Sequence, residues 1–441
     1  MKNEESSRLV EIELERRPRP KREIPPPEET EREIQVKLRD VQKEKETVFQ
    51  GVDKLRDESI GLFQSLIRIP SVNPSPKFEK ELADFVAEKM RELDMEVQQI
   101  EPEENRVSNL GRYRGEQGNP VLLCYGHLDT VPIGDPAKWN YPPFGAEIHD
   151  GSIWGRGTND SKLMIAATLA AVRALKESRI KLNGDILLCA PADEEMGGYK
   201  GIHVMIEKSM VKADYAIQGE YSTGPNKISM VGHRGLLWVE VTTKGEAAHS
   251  RMRHKNVNAI LKMLKVAQAL DDIEFTGWKS HPIVPGIPYI SPNIIEGGEK
   301  DNVIADRCTL TCDIRFLPGQ SYQMLMADIN RVLDRLRAED PELEVEVKPR
   351  AYGRPLEQSP DEPIIKYAQA AMKEALQLDN LPPAEGSEAA SDTRWLVYDA
   401  GIPMCSFSDT HTGHAPNEHI EIEAYMNTIK VTALLSLMLL K

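Results

Sequence analysis

The sequence predicts an α/β protein, with a domain built on a mainly parallel sheet and a smaller inserted α+β (ferredoxin-like) domain. Short continuous apolar runs alternate with helical stretches along most of the chain, which is typical of a sheet covered by helices on both faces. Within residues 229–349 the pattern changes to two helices among several antiparallel strands, which favours a split βαβ insertion. The length of 441 residues agrees with more than one core.

The domain boundaries follow changes in composition. Residues 1–50 carry many charges of both signs and little apolar surface. Burial cannot then offset the entropy lost on ordering, so we expect a charged tail that is disordered or forms a loose helix. Residues 51–228 form the first part of the main domain, residues 229–349 the insert, and residues 350–441 the second part of the main domain.

The elements of each domain follow from helical periodicity and from short apolar runs. In the main domain, helical spacing begins near residue 60, and further elements are strands at 121–125, 186–189, 215–217 and 404–407 and helices at 162–177, 363–376 and the C-terminus. In the insert, the predicted elements are strands at 236–241, 308–316 and 343–347 and helices at 256–270 and 322–336.

Composition narrows the range of partners. The chain has 55 Lys+Arg and 70 Asp+Glu, a net charge of −15, which argues against nonspecific nucleic-acid binding and against docking on an anionic membrane. The N-terminal stretch lacks the apolar core of a secretory signal, so we expect a cytoplasmic protein. The five cysteines are scattered, and we expect buried thiols rather than disulfides.

Acidic and imidazole side chains directly follow several of the predicted strands, and one more carboxylate precedes the helix at 162–177. In an open parallel sheet, ligands bind outside the carboxyl ends of the strands. We therefore expect these side chains to converge on one crevice. The set is His127, Asp160, Glu194, Glu195, Glu220 and His414.

Such a cluster needs a compensating positive charge, because buried carboxylates and imidazoles are otherwise desolvated at high cost. A divalent metal supplies that charge, and nitrogen and oxygen ligands without thiolate fit zinc, with cobalt or manganese as substitutes. Taken singly, each residue also has a purely structural explanation: Asp160 as a helix N-cap, for example, or Glu194 and Glu195 as a solvated loop. The prediction depends on their joint placement.

Five motifs occur in order along the chain, and through them it resembles the family of acetylornithine deacetylase, succinyl-diaminopimelate desuccinylase and glutamate carboxypeptidase. The likeness covers nearly everything from about residue 60 to the C-terminus. The motifs are Tyr-Gly-His-Leu-Asp-Thr-Val-Pro (125–132), Gly-Arg-Gly-Thr-Asn-Asp-Ser-Lys (155–162), Asp-Glu-Glu (193–195), Gly-Glu (219–220) and His-Ala-Pro-Asn-Glu (414–418).

The resemblance implies a zinc-exopeptidase-like catalytic domain with two metal ions. His127 and Glu220 would bind one zinc, Glu195 and His414 the other, and Asp160 would bridge the two. The peptide bond that follows the bridging aspartate is expected to be cis.

The resemblance also assigns catalytic roles in the main domain. Glu194 would be the general base, taking a proton from a metal-bridged water and passing it to the leaving amine. Asp129 would orient the imidazole of His127 through its second ring nitrogen.

The insert resembles the lid and dimerisation domain of the same family. His249 would reach the active site of a partner subunit and stabilise an oxyanion, while Asn302 and Arg315 would hold the substrate carboxylate and Gly386 would lie in a substrate-side loop. From the residues alone, His249 could be an exposed strand-end histidine, and Arg315 could pair with Asp313.

The resemblance implies an amide hydrolase that removes an acyl group from an N-acyl amino acid, working as a homodimer through the lid. A dipeptidase or carboxypeptidase of the same family is the alternative, since the chemistry is identical and only the pocket differs. Tyr221 and Thr393 depart from common family residues beside that pocket. A non-catalytic metal-bound scaffold is a third hypothesis, disfavoured because all five ligands and the base are present.

Overall fold

The computed structural model describes residues 11, 14, 23–75, 77–219, 227–229, 231–277, 279–407 and 413–441. These residues fall into two compact units. The insert unit contains Gly232–Glu357 and Glu388–Ala390, together with Glu11 and Leu14. The main unit contains the described residues from Glu23 to Val231, with Gln358–Ser387 and Ser391–Lys441.

Both units contain helices and strands. The helices are α1 (Pro27–Asp40), α2 (Gln42–Lys54), α3 (Arg56–Arg68), α4 (Lys80–Glu92), α5 (Lys162–Glu177), α6 (Ile202–Glu207), α7 (Ala259–Asp271), α8 (Tyr322–Glu339), α9 (Pro363–Leu376) and α10 (Ile422–Leu440). The strands are β1 (Glu96–Glu103), β2 (Arg106–Tyr113), β3 (Val121–Tyr125), β4 (Glu147–His149), β5 (Ser152–Trp154), β6 (Asp185–Ala190), β7 (Tyr215–Gln218), β8 (Ile228–Ser229), β9 (Gly232–His233), β10 (Gly235–Lys244), β11 (Ala248–His249), β12 (Tyr289–Gly297), β13 (Val303–Ile304), β14 (Arg307–Phe316), β15 (Glu344–Gly353), β16 (Leu356–Glu357), β17 (Met404–Phe407) and β18 (His419–Glu421).

The main unit is built on a seven-stranded sheet in the order β1-β2-β6-β3-β7-β17-β8. The four central strands β6, β3, β7 and β17 are parallel, as predicted. The outer pairings β1/β2, β2/β6 and β17/β8 are antiparallel, so the expectation of a mainly parallel sheet is correct only for the centre. The sequence did not reveal β1 because this edge strand is largely exposed and has no continuous apolar run.

Helices α5 and α10 hold the sheet of the main unit in place. Both are buried over most of their length, and they pack against each other and against β3. Since α5 begins at Lys162, its N-terminal end brings the preceding loop to the carboxyl ends of the central strands.

Residues 27–50 lie in two packed helices, where a disordered tail or a loose helix was expected. Helices α1 and α2 pack against α9, α10 and α5, and the expectation is therefore wrong for residues 27–50. One apolar residue every two turns makes the contact: Ile34, Val41 and Val48 are buried. The overall composition of the segment does not reveal so few apolar positions, because charged residues surround them. Residues 1–10, 12–13 and 15–22 lie outside the described part of the chain.

The insert unit is an α+β sandwich with a four-stranded antiparallel sheet in the order β12-β14-β10-β15. Along the chain its elements run β10-α7-β12-β14-α8-β15, which is the expected split βαβ arrangement. Helices α7 and α8 cover one core, which includes Leu237, Met263, Ile314 and Leu333. The unit extends beyond the predicted end at residue 349, because β15 continues to Gly353 and β16 pairs with β9.

Strand β12 lies at one edge of this sheet. Apolar side chains on β12 and on the helix α7 are exposed in the insert unit. Leu261 and Leu264 on α7 are 56% and 54% exposed, and Ile294 and Ile295 on β12 are 55% and 51% exposed. None of the described helices has the length and apolar character needed to cross a membrane.

Candidate metal centre

The predicted ligands lie in the loops at the carboxyl ends of the central strands. His127 follows β3, and Glu195 follows β6 in a short 3₁₀ turn from Glu194 to Met196. Asp160 immediately precedes α5, and the Asp160–Ser161 peptide bond is cis, as expected. Glu220, predicted after β7, lies outside the described residues.

Four of the five predicted ligands meet in one cluster. Asp160 lies between two imidazoles: its Oδ1 is 2.8 Å from His127 Nε2, and its Oδ2 is 3.0 Å from His414 Nε2. The same His414 nitrogen is 3.1 Å from Glu195 Oε2. Candidate ligand atoms of His127, Asp160 and Glu195 all lie within 4.8 Å of one another. The Asp160 carboxylate therefore lies between the two imidazoles, and its role as a shared ligand stays a prediction.

The cluster is buried on one side and open on the other. His127 and Asp160 are 0% and 3% exposed, whereas the side chain of His414 is 50% exposed. Among these residues, His414 therefore lies on the solvent-exposed side of the cluster.

The closely spaced carboxylates of the cluster favour the binding of a cation. Burial, reinforced by the charge of Asp160, raises the pKa of Glu195 to about 8. Burial opposes the charged form of Asp160 as well, but hydrogen bonds from His127 and His414 outweigh it and hold the pKa of Asp160 below its ordinary value. Closely packed carboxylates and imidazoles of this kind are a donor set for a divalent ion. The residues present therefore fit a metal centre.

Asp129 connects the imidazole to the loop after β6. Its backbone carbonyl is 2.9 Å from His127 Nδ1, and its carboxylate Oδ1 is 3.4 Å from the same nitrogen. Its two carboxylate oxygens accept the backbone N–H groups of Glu194 at 3.0 Å and Glu195 at 3.1 Å. Asn73, which the sequence did not single out, donates its side-chain amide to the same carboxylate at 2.9 Å.

Glu194 lies beside the cluster with one of its oxygens fixed. Its Oε1 accepts the backbone N–H of Asp392 at 3.2 Å, while its Oε2 is 3.9 Å from His127 Nε2. Burial raises the pKa of Glu194 above its ordinary value. A raised pKa makes the Glu194 carboxylate a stronger base, which is the direction that a general base needs.

A buried network behind Glu194 was missed by sequence reasoning. Arg106 on β2 donates to Asp193 Oδ1 at 2.6 Å and to Glu79 Oε1 at 3.3 Å. Asp193 has a left-handed backbone (φ 70°) and opens the turn that carries Glu194. The sequence offered little signal, because β2 mixes polar and apolar residues and the partners of Arg106 are distant in the chain.

A second missed contact joins the strand β3 to the loop before the π-helix Leu396–Ala400. The hydroxyl of Tyr125 donates to Asp392 Oδ1 at 2.5 Å, and both side chains are buried. Burial and the charge of Glu194 raise the pKa of Asp392 well above its ordinary value.

The other predicted site residues are spread over both units. In the insert unit, His249 and Asn302 are exposed and lie close in the β11/β13 pair, where the Asn302 carbonyl accepts the Ser250 N–H at 2.9 Å. Arg315 on β14 donates its Nε to Asp313 at 2.9 Å, the ion pair that the residues alone allowed. Gly386 is buried in the main unit. Their roles toward a substrate stay predictions.

Comparison with known proteins supports the family drawn from the motifs. Residues 123–437 match the profile of "Peptidase family M20/M25/M40". The N-formyl-4-amino-5-aminomethyl-2-methylpyrimidine deformylase of Bacillus subtilis (strain 168) is 26% identical over 409 residues, which span 86% of this chain and 94% of that protein. The succinyl-diaminopimelate desuccinylase of Thioalkalivibrio sulfidiphilus (strain HL-EbGR7) is 29% identical over 373 residues, which span 83% of this chain and 94% of that protein.

The fold is also similar to a solved structure. The M20 family metallo-carboxypeptidase Sso-CP2 from Sulfolobus solfataricus matches with a TM-score of 0.73 at 21% identity, covering 86% of this chain and 99% of that chain. At that identity the likeness concerns the fold. The proteins named above are a deformylase, a desuccinylase and a metallo-carboxypeptidase, so their names indicate different substrates.

Proposed function

The chain belongs to peptidase family M20/M25/M40, a family of metal-dependent hydrolases of amide or peptide bonds, and we propose that it removes the acyl group from an N-acyl amino acid. The observation that carries the proposal is the position of Asp160 between His127 and His414, with Glu194 beside them. Two relatives named as a desuccinylase and a deformylase support a deacylase.

The metal would be held by side chains from five separate segments of the chain. On this proposal His127 and Glu220 hold one divalent ion, Glu195 and His414 hold a second, and Asp160 is shared. Zinc suits this donor set best, and cobalt or manganese are substitutes. Bound ions of this kind polarise an amide carbonyl and lower the pKa of water.

Glu194 is the proposed proton carrier. Because the Asp392 N–H fixes Oε1, the atom turned toward His127 is Oε2, and we assign the proton transfer to it. It accepts the proton of the attacking water and delivers it to the nitrogen of the leaving amine. Asp129 supports this step by holding the Glu194 backbone at 3.0 Å.

Residues of the insert unit would bind the rest of the substrate. We assign Arg315 and Asn302 to the substrate carboxylate, because a guanidinium matches a carboxylate with two parallel hydrogen bonds. Arg315 Nε lies 2.9 Å from Asp313 Oδ2, and this ion pair fixes the direction of the Arg315 side chain. His249 is assigned to the oxyanion in the active site of a partner copy, and Gly386 to the substrate-side loop.

A homodimer through the insert unit completes this proposal. Leu261 and Leu264 on α7 and Ile294 and Ile295 on β12 are partly exposed, and we call these four residues the apolar stripe. Strand β12 is an edge strand, and an unpaired edge can pair with a second copy of the chain. Burial of the stripe against a second copy would remove this apolar surface from water.

A substrate panel combined with metal analysis tests the function. We expect the protein to retain divalent metal after dialysis and to hydrolyse N-acyl amino acids faster than dipeptides. Preferred cleavage of dipeptides would assign the exopeptidase alternative instead, because both reactions use the same centre.

The variant Glu194→Gln tests the mechanism. It should keep the metal and lose most turnover, whereas the matched control Glu104→Gln, at an exposed position, should match the wild type in both. Hydrolysis by Glu194→Gln at the wild-type rate would remove Glu194 from the reaction.

A further inference from the structure

Glu418, which closes the last of the five motifs, is fully buried against the loop that carries Asp160. Its Oε1 accepts three backbone N–H groups of that loop: Gly157 at 3.1 Å, Asn159 at 2.8 Å and Asp160 at 3.3 Å. Its own backbone carbonyl accepts the N–H of Gly155 at 2.9 Å. One carboxylate oxygen therefore fixes the backbone immediately before and at Asp160.

The second oxygen of Glu418 engages an equally buried cation. Arg156, which is 1% exposed, donates Nη1 to Glu418 Oε2 at 2.6 Å. Its Nη2 donates to the carbonyls of Pro132 and His414, both at 3.3 Å. Arg156 thus reaches the loop after His127 and the backbone of His414 at once.

The backbone has a positive φ at Gly157 and at His414, which lie at the two ends of this contact. Gly157 has φ 90°, and a Cβ there would lie 3.1 Å from Lys162 Cδ and from Thr130 Cγ2. His414 has φ 66°, a backbone conformation that residues other than glycine rarely adopt. The hydrogen bond from Arg156 holds the His414 carbonyl in this conformation.

Stability alone does not account for the pair. A buried ion pair seldom stabilises a fold more than well-packed apolar residues of similar size, because both charges must be desolvated. What the Glu418–Arg156 pair does is connect three loops, which carry His127, Asp160 and His414.

We propose that Glu418 and Arg156 are positioning residues that set the relative placement of Asp160 and His414. Without them, the Asp160 carboxylate and the His414 imidazole, now 3.0 Å apart, would no longer be held at the spacing that a shared metal centre requires. The proposal rests on the proposed function, because it concerns the same centre, but it makes a claim about metal affinity rather than about the substrate.

The test titrates Zn²⁺ and Co²⁺ into the metal-free protein by calorimetry, with the visible absorption of Co²⁺ as a second readout. In Glu418→Gln the amide NH₂ faces the guanidinium, so Arg156 is left without its counter-charge. We expect the affinity for metal to fall about 10- to 100-fold, which is the usual effect of losing an outer partner of a ligand. The Co²⁺ spectrum should change as well.

A double variant separates positioning from fold stability. Arg156→Met with Glu418→Gln removes both buried charges, so the melting temperature should recover toward the wild type while metal affinity stays low. The milder Arg156→Lys keeps the charge but cannot reach Glu418 and the His414 carbonyl together. It should fold and show an intermediate loss of affinity.

The control and the opposing outcomes are specific. Glu421→Gln, an exposed position in the same segment, should bind metal as the wild type does. Unchanged affinity and Co²⁺ spectrum in both Glu418→Gln and Arg156→Lys would overturn the proposal, as would a double variant that recovers affinity together with stability. A wild-type protein that binds no metal would instead refute the proposed function.

Discussion

The carboxylate of Asp129 accepts the backbone N–H of Glu194 at 3.0 Å, so the residue expected to orient His127 also fixes the proposed general base. Its second oxygen accepts the N–H of Glu195 at 3.1 Å. Asp129 therefore contacts the turn after β6 through its carboxylate, and the imidazole after β3 through its backbone carbonyl at 2.9 Å and its carboxylate at 3.4 Å. Loss of that side chain should disturb metal binding and proton transfer together.

We expect Asp129→Asn to lower metal affinity about 10- to 100-fold and to reduce turnover, because an outer partner of the ligands is lost. The asparagine NH₂ group would face the N–H of either Glu194 or Glu195, and two donors cannot bond to each other. Metal content after dialysis and the rate at saturating metal are the measurements.

The control for this prediction is Asp150→Asn, at an exposed turn position where asparagine is tolerated. It should behave as the wild type does. Full metal content and full turnover in Asp129→Asn would show that the carboxylate is dispensable for both the imidazole and the turn.

The buried carboxyl of Glu79 predicts an unusual dependence of stability on pH. Burial, together with the charge of Asp129, raises its pKa from 4.5 to about 8, although Arg106 lies 3.3 Å away. The folded state therefore keeps a proton that the unfolded state has released, and the free energy of unfolding falls as pH rises from 4.5 toward 8. The slope from one such group is at most about 1.4 kcal/mol per pH unit.

Glu79→Gln removes this titration, so its melting temperature relative to the wild type should rise between pH 5 and pH 8. Thermal unfolding across that range is the measurement. Glu81→Gln, an exposed position on α4, is the control and should show a difference that does not vary with pH. If the difference in melting temperature between Glu79→Gln and the wild type does not vary with pH, then Glu79 does not release its proton between pH 5 and pH 8.

The central elements could be predicted because each is specified locally. The strands at 121–125 and 404–407 and the helix at 363–376 have the predicted bounds, since a buried strand or a helix begun by Pro363 is recognisable within its own sequence. The proximity of His127, Glu195 and His414 followed from the same logic, because side chains that end neighbouring parallel strands meet at one edge.

What escaped prediction depends on partners distant in sequence. Arg106 is an ordinary strand residue until the fold brings it to Asp193, 87 positions along the chain. Glu418 lies in a recognised motif, yet its contacts with the loop of Asp160 span 258 residues or more. The packing of α1 and α2 was likewise hidden, because a few buried side chains are spread among many charges.

Helix α2 offers a direct test of this N-terminal packing. Val48 is 0% exposed and lies on a helix that contacts α5 and α10. Val48→Ala should lower the free energy of unfolding by about 1–3 kcal/mol through lost burial and a residual cavity. Val36→Ala, at a position 45% exposed on α1, should stay within about 0.5 kcal/mol of the wild type. Equal stability of both variants would mean that α2 does not pack as described.

The apolar stripe on the insert unit predicts an oligomeric state. Leu264→Glu combined with Ile295→Glu places two charges on side chains that are 54% and 51% exposed. A dimer formed by this surface should dissociate, because the charges would be buried without partners. Light scattering at matched concentrations reports the mass. Val36→Glu adds a charge to an exposed apolar position outside the stripe and should leave the mass unchanged, and a double variant with wild-type mass would exclude the stripe as the interface.

Arg315 predicts how the enzyme distinguishes its substrates. If its guanidinium binds the substrate carboxylate, Arg315→Met should raise KM about 10- to 100-fold for an N-acyl amino acid, because a hydrogen bond to a charged group contributes about 1.5–3 kcal/mol. The same variant should differ little from the wild type on the matching N-acyl amino-acid amide, which has no carboxylate to bind. Arg315→Lys should be intermediate, since lysine keeps the charge but not the two-pronged geometry. Arg350→Met, an exposed arginine on β15 of the same sheet, is the control. An equal loss on both substrates would assign Arg315 to its ion pair with Asp313, 2.9 Å away, rather than to substrate binding.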